Sequence, residues 1–303
     1  MFRKKQLKES DYSLPRLSKC TRFDYVILAW FVLFSLFYCI ARSAWVPLSL
    51  VKTGDAANIA SFAAAWDYPE LFNGDGLLGN PDNFRFYATI HIPLLQVLAL
   101  VTGGYGLAFS YLLGLHVFLQ LLGFYILGRV IFRNRYWAIL LAIINLIPVA
   151  LNLGTSWGVF SDAIPRFSFQ VLLPFLLSAV YYLRMDYKVW PWLMMFAGVL
   201  IYVHPVSAPG WAFAVWLSLW LFLPKSYTLQ QKITYMIFVG SVCVAVVLPF
   251  AVHYLANHDH GAVESYEQVY EIMQSRFASG FLDIPMATKQ FFSIIQKKYL
   301  LTT

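Results

Sequence analysis

Four polar side chains that could take part in a reaction lie in a chain that is otherwise mostly apolar: Asp55, Asp162, Arg166 and His204. Asp55 could act as a general base at the membrane surface, where a carboxylate accepts a proton from an attacking hydroxyl group. Arg166 could bind a lipid phosphate through the several N–H donors of its planar guanidinium. His204 could reach toward the polar segment 43–85, and Asp162 is a lone acid shortly before Arg166.

Three of these side chains also have a purely structural interpretation. Asp55 directly precedes an Ala-rich run, 56–66, and Asp is a favoured helix N-cap. Arg166 could anchor its helix by placing its charged end in the interface. His204 is followed by Pro205, which ends a helix, so the histidine could be an interfacial residue in a tight turn. The sequence alone leaves both interpretations open.

The composition predicts an all-α, polytopic integral membrane protein. Hydrophobic residues make up 60% of the 303 residues and charged residues only 12%, about half the charged fraction of a soluble domain. The net charge of +7 comes from basic residues scattered among short loops, so we predict no nucleic-acid partner. The three cysteines have no metal-like spacing.

A transmembrane helix needs about 20 mainly apolar residues, and seven runs come close to that length. The predicted spans are 24–42, 106–129, 136–153, 167–184, 189–204, 208–224 and 233–255. A further apolar run, 86–104, is ambiguous because it contains His91 and Pro93 and ends at two glycines.

The positive-inside rule decides how the run 86–104 is placed. The N-terminus is rich in Lys and Arg and should face the cytoplasm. If 86–104 crossed the membrane, every short basic loop would lie outside. If it lies on the outer surface instead, 14 of the 22 Lys and Arg residues are cytoplasmic. We therefore predict seven spans, with an external loop 43–105 that ends in a membrane-surface helix.

This topology divides the chain into three parts. Residues 1–23 form a basic cytoplasmic tail, and residues 24–255 form the transmembrane domain. Residues 256–303 form an extracytoplasmic segment that begins with an amphipathic helix. Residues 258–260 (His-Asp-His) include metal-capable ligands, but a shared metal would need an unusual geometry, so we assign no metal site.

The order of these segments resembles the GT-C superfamily of membrane glycosyltransferases, which includes protein mannosyltransferases and lipid A aminoarabinose transferases. The similarity covers residues 20–225. Its motifs are Phe86-Tyr87, Pro93, Gly103-Gly104, the Tyr125 to Arg129 ending of a span, Pro165-Arg166 and His204-Pro205. The chain has fewer spans than those proteins and a single acid at Asp55, so we expect a shortened or uncharacterised bacterial member, located in the plasma membrane.

The resemblance implies a polyprenyl-phosphate sugar donor, held among membrane lipids, and transfer on the outer face. Asp55 would accept the proton of the acceptor hydroxyl. Arg166 and His204 would offset charge on the departing lipid phosphate. Asp162 would orient Arg166 or the acceptor. No redox cofactor is implied, and a divalent metal is compatible with this chemistry but not required by it.

Two other classes of function compete with the transferase. A transporter or flippase for a lipid-linked substrate should show inverted repeats and mid-membrane charges, whereas the sequence has no evident repeat and only His116 well inside a span. A noncatalytic assembly protein of the envelope would tolerate loss of all the candidate site residues. The sequence identifies neither the sugar, nor the acceptor, nor any protein partner.

Overall fold

The computed structural model describes residues 21–45, 55–85, 87, 89–151, 154–160 and 162–257, and Ser265, Glu267 and Glu271 singly. The chain forms two compact units, Met1–Asn257 and His258–Thr303. The predictions for most of the basic tail, for residues 46–54, for the amphipathic C-terminal segment and for residues 258–260 lie outside the described residues. The helices and strands given below all belong to the first unit.

The described part of the chain is predominantly α-helical. Its helices are α1 (Arg22–Trp45), α2 (Asp55–Asp67), α3 (His91–Thr102), α4 (Tyr105–Phe132), α5 (Arg135–Ile144), α6 (Pro165–Leu183), α7 (Trp190–Val203), α8 (Ala208–Leu219) and α9 (Leu229–Asn257). Two short antiparallel strands, β1 (Val149–Leu151) and β2 (Gly154–Trp157), separate α5 from α6.

Four of the helices in the described residues, α1, α4, α6 and α9, are long and apolar enough to cross a membrane. Large apolar side chains of α1 and α9 are exposed, among them Phe37 at 69% and Val244 at 64%, as expected for surfaces that face lipid. Each of the seven predicted spans contains one helix, but α5, α7 and α8 are shorter apolar helices. The structure therefore supports a membrane protein, while the count of seven spans stays a prediction.

Helices α1 and α4 are antiparallel neighbours. At one end, the carboxylate of Asp24 at the start of α1 pairs with the guanidinium of Arg129 near the end of α4. At the other end, the Cys39 thiol donates to the Ser110 carbonyl oxygen at 3.0 Å. We call these the Asp24 end and the Asp55 end of the bundle. The chain between the two helices therefore starts and finishes at the Asp55 end, as expected if 86–104 does not cross.

Helices α4 and α6 run in the same direction. His116 lies beside Ser168, and a Cβ atom at Gly123 would lie 2.7 Å from Pro174 Cγ. The chain must therefore return from one end of the bundle to the other between the two helices. Close approach of α5 to α4 is possible because of Gly128, where a Cβ atom would lie 2.6 Å from the Cα atom of Ala138.

The predicted span 136–153 is not one continuous helix. Helix α5 ends after 10 residues at Ile144, and the hairpin β1–β2 follows. The polar groups at this break have partners inside the bundle. Gln120 Nε2, near the middle of α4, donates to the Asn145 carbonyl at 2.6 Å, and Trp157 Nε1 donates to Asn145 Oδ1 at 3.0 Å. Irregular backbone inside a membrane protein is stable only where such internal partners exist.

Helices α7, α8 and α9 complete the bundle. Trp190 and Tyr235 pack together at the Asp24 end, and the Tyr202 hydroxyl donates to the Val246 carbonyl at 2.7 Å nearer the Asp55 end. Helices α7 and α9 are therefore parallel. The buried apolar residues form two clusters, one centred on α1 to α6 and the other on α6 to α9, so α6 joins both halves.

Candidate functional site

Asp55 is the first residue of α2, and its side chain is exposed. One face of this helix is buried and holds it in place; the buried residues are Ala56, Ile59, Ala63 and Ala65. A carboxylate in the first turn interacts favourably with the helix dipole. Among the described residues, the Asp55 carboxylate has no hydrogen-bond or ion-pair partner. The free carboxylate oxygen that a general base requires is therefore present, and no capping bond to a described residue competes for it.

Arg166 is the second residue of α6 and is also exposed. Its position is set by its buried neighbours Pro165 and Phe167, because proline favours the first position of a helix. No carboxylate of the described residues forms a salt bridge with the Arg166 guanidinium. The interpretation of Arg166 as an interfacial anchor and its interpretation as an anion-binding group both fit this position.

His204 is the C-cap of α7 and is half-buried. The backbone N–H of Ser207 donates to its Nδ1 atom at 3.1 Å, so the proton of the neutral ring is on Nε2. The pKa of His204 is lowered to about 4, mainly by burial and further by the nearby guanidinium of Arg166, while the Asp55 carboxylate acts in the opposite direction. At neutral pH the ring is therefore uncharged and offers Nε2–H as a donor.

Three of the four predicted site residues thus come together from three separate elements. Phe169, one turn after Arg166 in α6, contacts His204 with ring centroids 6.3 Å apart, so the start of α6 packs beside the end of α7. The charges of Arg166 and Asp55 both act on the pKa of His204. Tyr87 belongs to the same group, since its pKa is raised by burial and then by the carboxylate of Asp55. A base, a cation and a neutral donor consequently share one region at the Asp55 end of the bundle.

Asp162 is paired with an arginine of α1. Its carboxylate forms an ion pair with Arg42 Nη2 at 3.9 Å, near the end of α1. Nearby, the Tyr38 hydroxyl donates to the Phe160 carbonyl at 3.2 Å. Asp162 therefore ties the segment before α6 to α1, and its role of orienting Arg166 or the acceptor stays a prediction.

Two hydrogen bonds to backbone carbonyls, which the sequence did not reveal, connect the candidate site to α3. The Thr89 hydroxyl donates to the Val203 carbonyl at 2.9 Å, and the Ile90 N–H donates to the Tyr202 carbonyl at 2.9 Å. They fix the segment before α3 against the end of α7, which carries His204. Such contacts between distant chain segments have no signature in residue type or spacing.

Asp67 holds the helices of the segment between α1 and α4 together. Its Oδ1 atom accepts a hydrogen bond from Gln96 Nε2 at 2.7 Å, and its Oδ2 atom accepts one from the Tyr105 hydroxyl. One carboxylate therefore connects the end of α2 to α3 and to the start of α4. Its function in the structure is to position α2, the helix that begins at Asp55.

His116, the ionisable residue predicted to lie inside a span, belongs to a buried chain of polar groups. Its Nε2 atom lies 3.1 Å from Ser168 Oγ, which lies 2.9 Å from His91 Nδ1. All three residues are buried. The interpretation of His116 as a hydrogen-bonded group between helices is therefore the one that the contacts support.

The other loop acids serve local structure. Asp75 Oδ1 accepts the backbone N–H groups of Leu77 and Leu78 at 2.8 and 2.7 Å, and these bonds lower the pKa of the exposed carboxyl. Asp82 pairs with Arg85 at 3.1 Å on the surface. Among the described residues, no three His, Cys, Asp or Glu side chains are grouped so that they could hold a metal ion.

Comparison of the chain with family models, with curated proteins and with solved structures found no match.

Proposed function

We propose that this protein is a membrane glycosyltransferase of the GT-C type, which transfers a sugar from a polyprenyl-phosphate donor to an acceptor on the extracytoplasmic face. The observation that carries the proposal is the grouping of Asp55, Arg166 and His204. They lie far apart in the sequence and belong to the starts of two helices and the end of a third. Their chemistry is the set that this transfer requires.

Asp55 is the general base in the proposed reaction. Its exposed carboxylate accepts the proton of an acceptor hydroxyl while that oxygen attacks the anomeric carbon of the donor sugar. The bond between the sugar and the phosphate oxygen breaks, and the lipid phosphate leaves with the electron pair. No redox cofactor takes part in this step.

Arg166 and His204 stabilise the leaving phosphate. The Arg166 guanidinium supplies positive charge and paired donors, which suit phosphate oxygens. The neutral His204 ring supplies one donor through Nε2–H rather than a second charge. Charge that develops on the departing phosphate is thereby offset where it appears.

The proposed sidedness is supported by the charges of the described residues. At the Asp24 end the basic residues are Arg22, Arg129, Arg133, Arg135, Arg184, Lys188, Lys225 and Lys232, and the acids are Asp24 and Asp186. At the Asp55 end the basic residues are Arg42, Arg85 and Arg166, and the acids are Asp55, Asp67, Glu70, Asp75, Asp82 and Asp162. Basic loops remain in the cytoplasm, so we propose that the Asp24 end is cytoplasmic.

The same proposal includes seven crossings in a bacterial plasma membrane. Helices α7 and α8 and the combination of α5 with its hairpin would supply the three crossings beyond α1, α4, α6 and α9. Fusions of a compartment reporter at Asn80 and at Asn134 test this topology, since they should report opposite sides of the membrane. The same side for both would reject the seven-crossing arrangement.

The test of activity uses Asp55→Asn and a radiolabelled polyprenyl-phosphate sugar in membrane vesicles. Loss of the base should lower product formation by about 10²- to 10⁴-fold, with unchanged protein level. Glu70→Gln, which neutralises an exposed acid at the same end, should retain full activity. Full activity of Asp55→Asn would remove the assigned base.

A flippase for a lipid-linked substrate is the second candidate, and one observation favours it. The crossing between α4 and α6 is broken after α5, and broken helices are typical of transporters. Reconstitution with a labelled lipid donor separates the two functions. Movement of intact donor between leaflets, without cleavage, would favour the flippase.

A further inference from the structure

A cleft of about 520 Å³ lies beside the candidate site and shares Tyr87 with it. This volume is within the range of small-molecule binding sites. The described lining residues come from the end of α2, the segment before α3, α3 itself and α9. Among them are Trp66, Arg85, Tyr87, Thr89, Gln96 and His253.

The aromatic wall of the cleft is held rigidly. Phe84 lies edge-on to Trp66 with ring centroids 5.2 Å apart, and Phe62 contacts Tyr87 at 5.2 Å. Phe84 is itself buried and stacks on Phe62. Trp66 keeps 41% of its surface exposed. A flat, partly apolar face that is fixed in place suits the stacking of a sugar ring, because a pyranose presents C–H groups on its faces.

The polar groups of the wall are partly committed and partly available. Gln96 Nε2 donates a hydrogen bond to Asp67, and the Thr89 hydroxyl donates one to the Val203 carbonyl. His253 Nε2 lies 3.1 Å from the Arg85 carbonyl. Within the described part of the chain, the Trp66 Nε1–H and the Tyr87 hydroxyl have no hydrogen-bond partner. Burial and Asp55 raise the pKa of Tyr87, so its hydroxyl keeps its proton and stays a donor. The available groups are therefore mostly donors.

Arg85 is the charged group among the described lining residues. Its partner Asp82 does not belong to the lining, and the pair is exposed, with side-chain exposures of 46% and 68%. Exposed pairs of this kind contribute little stability, so the guanidinium can bind a ligand instead. A cation and several donors, without a lining carboxylate, select against cations and in favour of an anionic ligand.

We propose that this cleft binds an anionic pyranose sugar, with the ring on Trp66 and the carboxylate or phosphate of the sugar at Arg85. The inference deepens the proposed function, because the bound sugar would be the acceptor, whose hydroxyl then lies near Asp55. Binding to the cleft nevertheless requires no transfer, so it can be measured independently.

The test is calorimetric titration of the full chain in nanodiscs of neutral phosphatidylcholine. The probes are a methyl glucuronide, a hexose phosphate and the neutral methyl glucoside. Arg85→Gln should weaken binding of the anionic probes by about ten- to hundredfold, the effect of losing a charge-assisted hydrogen bond, and should leave the neutral sugar little changed. Whichever anionic probe binds more tightly identifies the acidic group.

Matched controls separate a cleft effect from a general one. Arg133→Gln removes an exposed arginine at the opposite end of the bundle, and Trp192→Ala removes an exposed tryptophan of α7. Both should bind the anionic probes like the unchanged chain, whereas Trp66→Ala should weaken every sugar. Equal affinity for charged and neutral sugars, an Arg85→Gln variant that binds normally, or the absence of binding would each overturn the proposal.

Failure of the proposed function would look different. Asp55→Asn should lower transfer by about the same 10²- to 10⁴-fold, while the anionic sugar still binds to the cleft. Binding in a chain that transfers nothing would leave the cleft assigned and reject the transferase. Transfer by a chain whose cleft binds no anionic sugar would keep the transferase and reject the assignment of the cleft.

Discussion

Asp24 and Asp55, which lie at opposite ends of the bundle, differ in how their charges are used. At the Asp24 end, the Asp24 carboxylate accepts hydrogen bonds from the Thr21 backbone at 2.7 Å and the Tyr125 hydroxyl at 2.6 Å, besides its pairing with Arg129. Its side chain is 4% exposed. At the Asp55 end, Asp55 and Arg166 are exposed and lack such partners among the described residues.

The difference separates charges that hold helices together from charges that are left for a ligand. A buried carboxylate that is surrounded by donors fixes α1 against α4, with Arg135 of α5 a further 3.5 Å contact. Such a cluster is costly to break because each member depends on the others. A carboxylate without protein partners contributes little to folding and retains its capacity to bind or to accept a proton. Stability should therefore respond most to mutation of the cluster around Asp24, and activity to mutation of Asp55 and Arg166.

The largest expected effect on stability comes from Asp24→Ala. This variant leaves the guanidinium of Arg129, 10% exposed, without its carboxylate. Removing one partner of a buried pair costs about 3–5 kcal/mol of unfolding free energy. Unfolding by denaturing detergent in mixed micelles measures this loss.

Asp186→Ala is the matched control for this measurement. Asp186 lies at the same end of the bundle but accepts a bond from the Lys188 N–H at 3.2 Å, as the cap of a short 3₁₀ helix. Loss of such a cap costs about 1 kcal/mol. Equal losses for the two variants would show that the Asp24 cluster is not specifically stabilising.

Gly128→Ala is expected to have the next largest effect. The added methyl group would lie 2.6 Å from Ala138 Cα, so α4 and α5 must separate. Overpacking of this kind costs about 1–3 kcal/mol. Gly210→Ala in α8, where the methyl group meets open space, should be neutral or slightly stabilising. The same detergent unfolding assay distinguishes them, and a neutral Gly128→Ala would show that the α4–α5 contact can yield.

The sequence predicted much of the helical architecture because apolar length is a strong signal. Every predicted span contains a helix, and the helix that begins at Asp55 was predicted from the Ala-rich run. The break after Ile144 was missed, since residues 136–153 are apolar enough to read as one helix. The break is stabilised by hydrogen bonds from Gln120 and Trp157 to Asn145, and these form only in the folded chain.

The candidate site was predictable in its residue types but not in its contacts. Asp55, Arg166 and His204 were selected by their chemistry and their resemblance to a family motif, and the structure brings them together. Asp162 was selected on the same grounds, but pairs with Arg42. The Asp24 cluster was missed because the predicted first span starts with that residue, where an acid near the interface gives no sign of a partner in α4.

Ser168→Ala should have a smaller effect, at the Asp55 end. The hydroxyl of Ser168 bridges His91 and His116, and its loss leaves both imidazole rings without this partner. Interhelical hydrogen bonds in membrane proteins contribute about 0.6 kcal/mol on average and up to about 1.7. Detergent unfolding of Ser168→Ala beside Ser241→Ala, an exposed serine of α9, measures the difference. A loss as large as that of Asp24→Ala would mean that buried polar groups stabilise both ends equally.

Near neutral pH, the smallest expected effect is the dependence of stability on pH that comes from His204. Its folded pKa of about 4 lies below the ordinary value of 6.5. Between these two pH values the unfolded chain binds more protons than the folded chain, so stability falls as the pH decreases. At pH 6 the loss attributable to this residue is less than about 1 kcal/mol.

His204→Gln should remove this component and leave the rest of the pH profile unchanged, because glutamine keeps a donor without titrating. Unfolding measured from pH 7.5 to 4.5 for both chains gives the difference curve. A curve that is flat would place His204 in ordinary solvent, away from Arg166. A stability that rises toward low pH would mean that the ring gains a proton in the folded state, and His204 would then act on a phosphate as a cation. Either result would weaken the contrast with the Asp24 end, where a cation and a carboxylate form an ion pair.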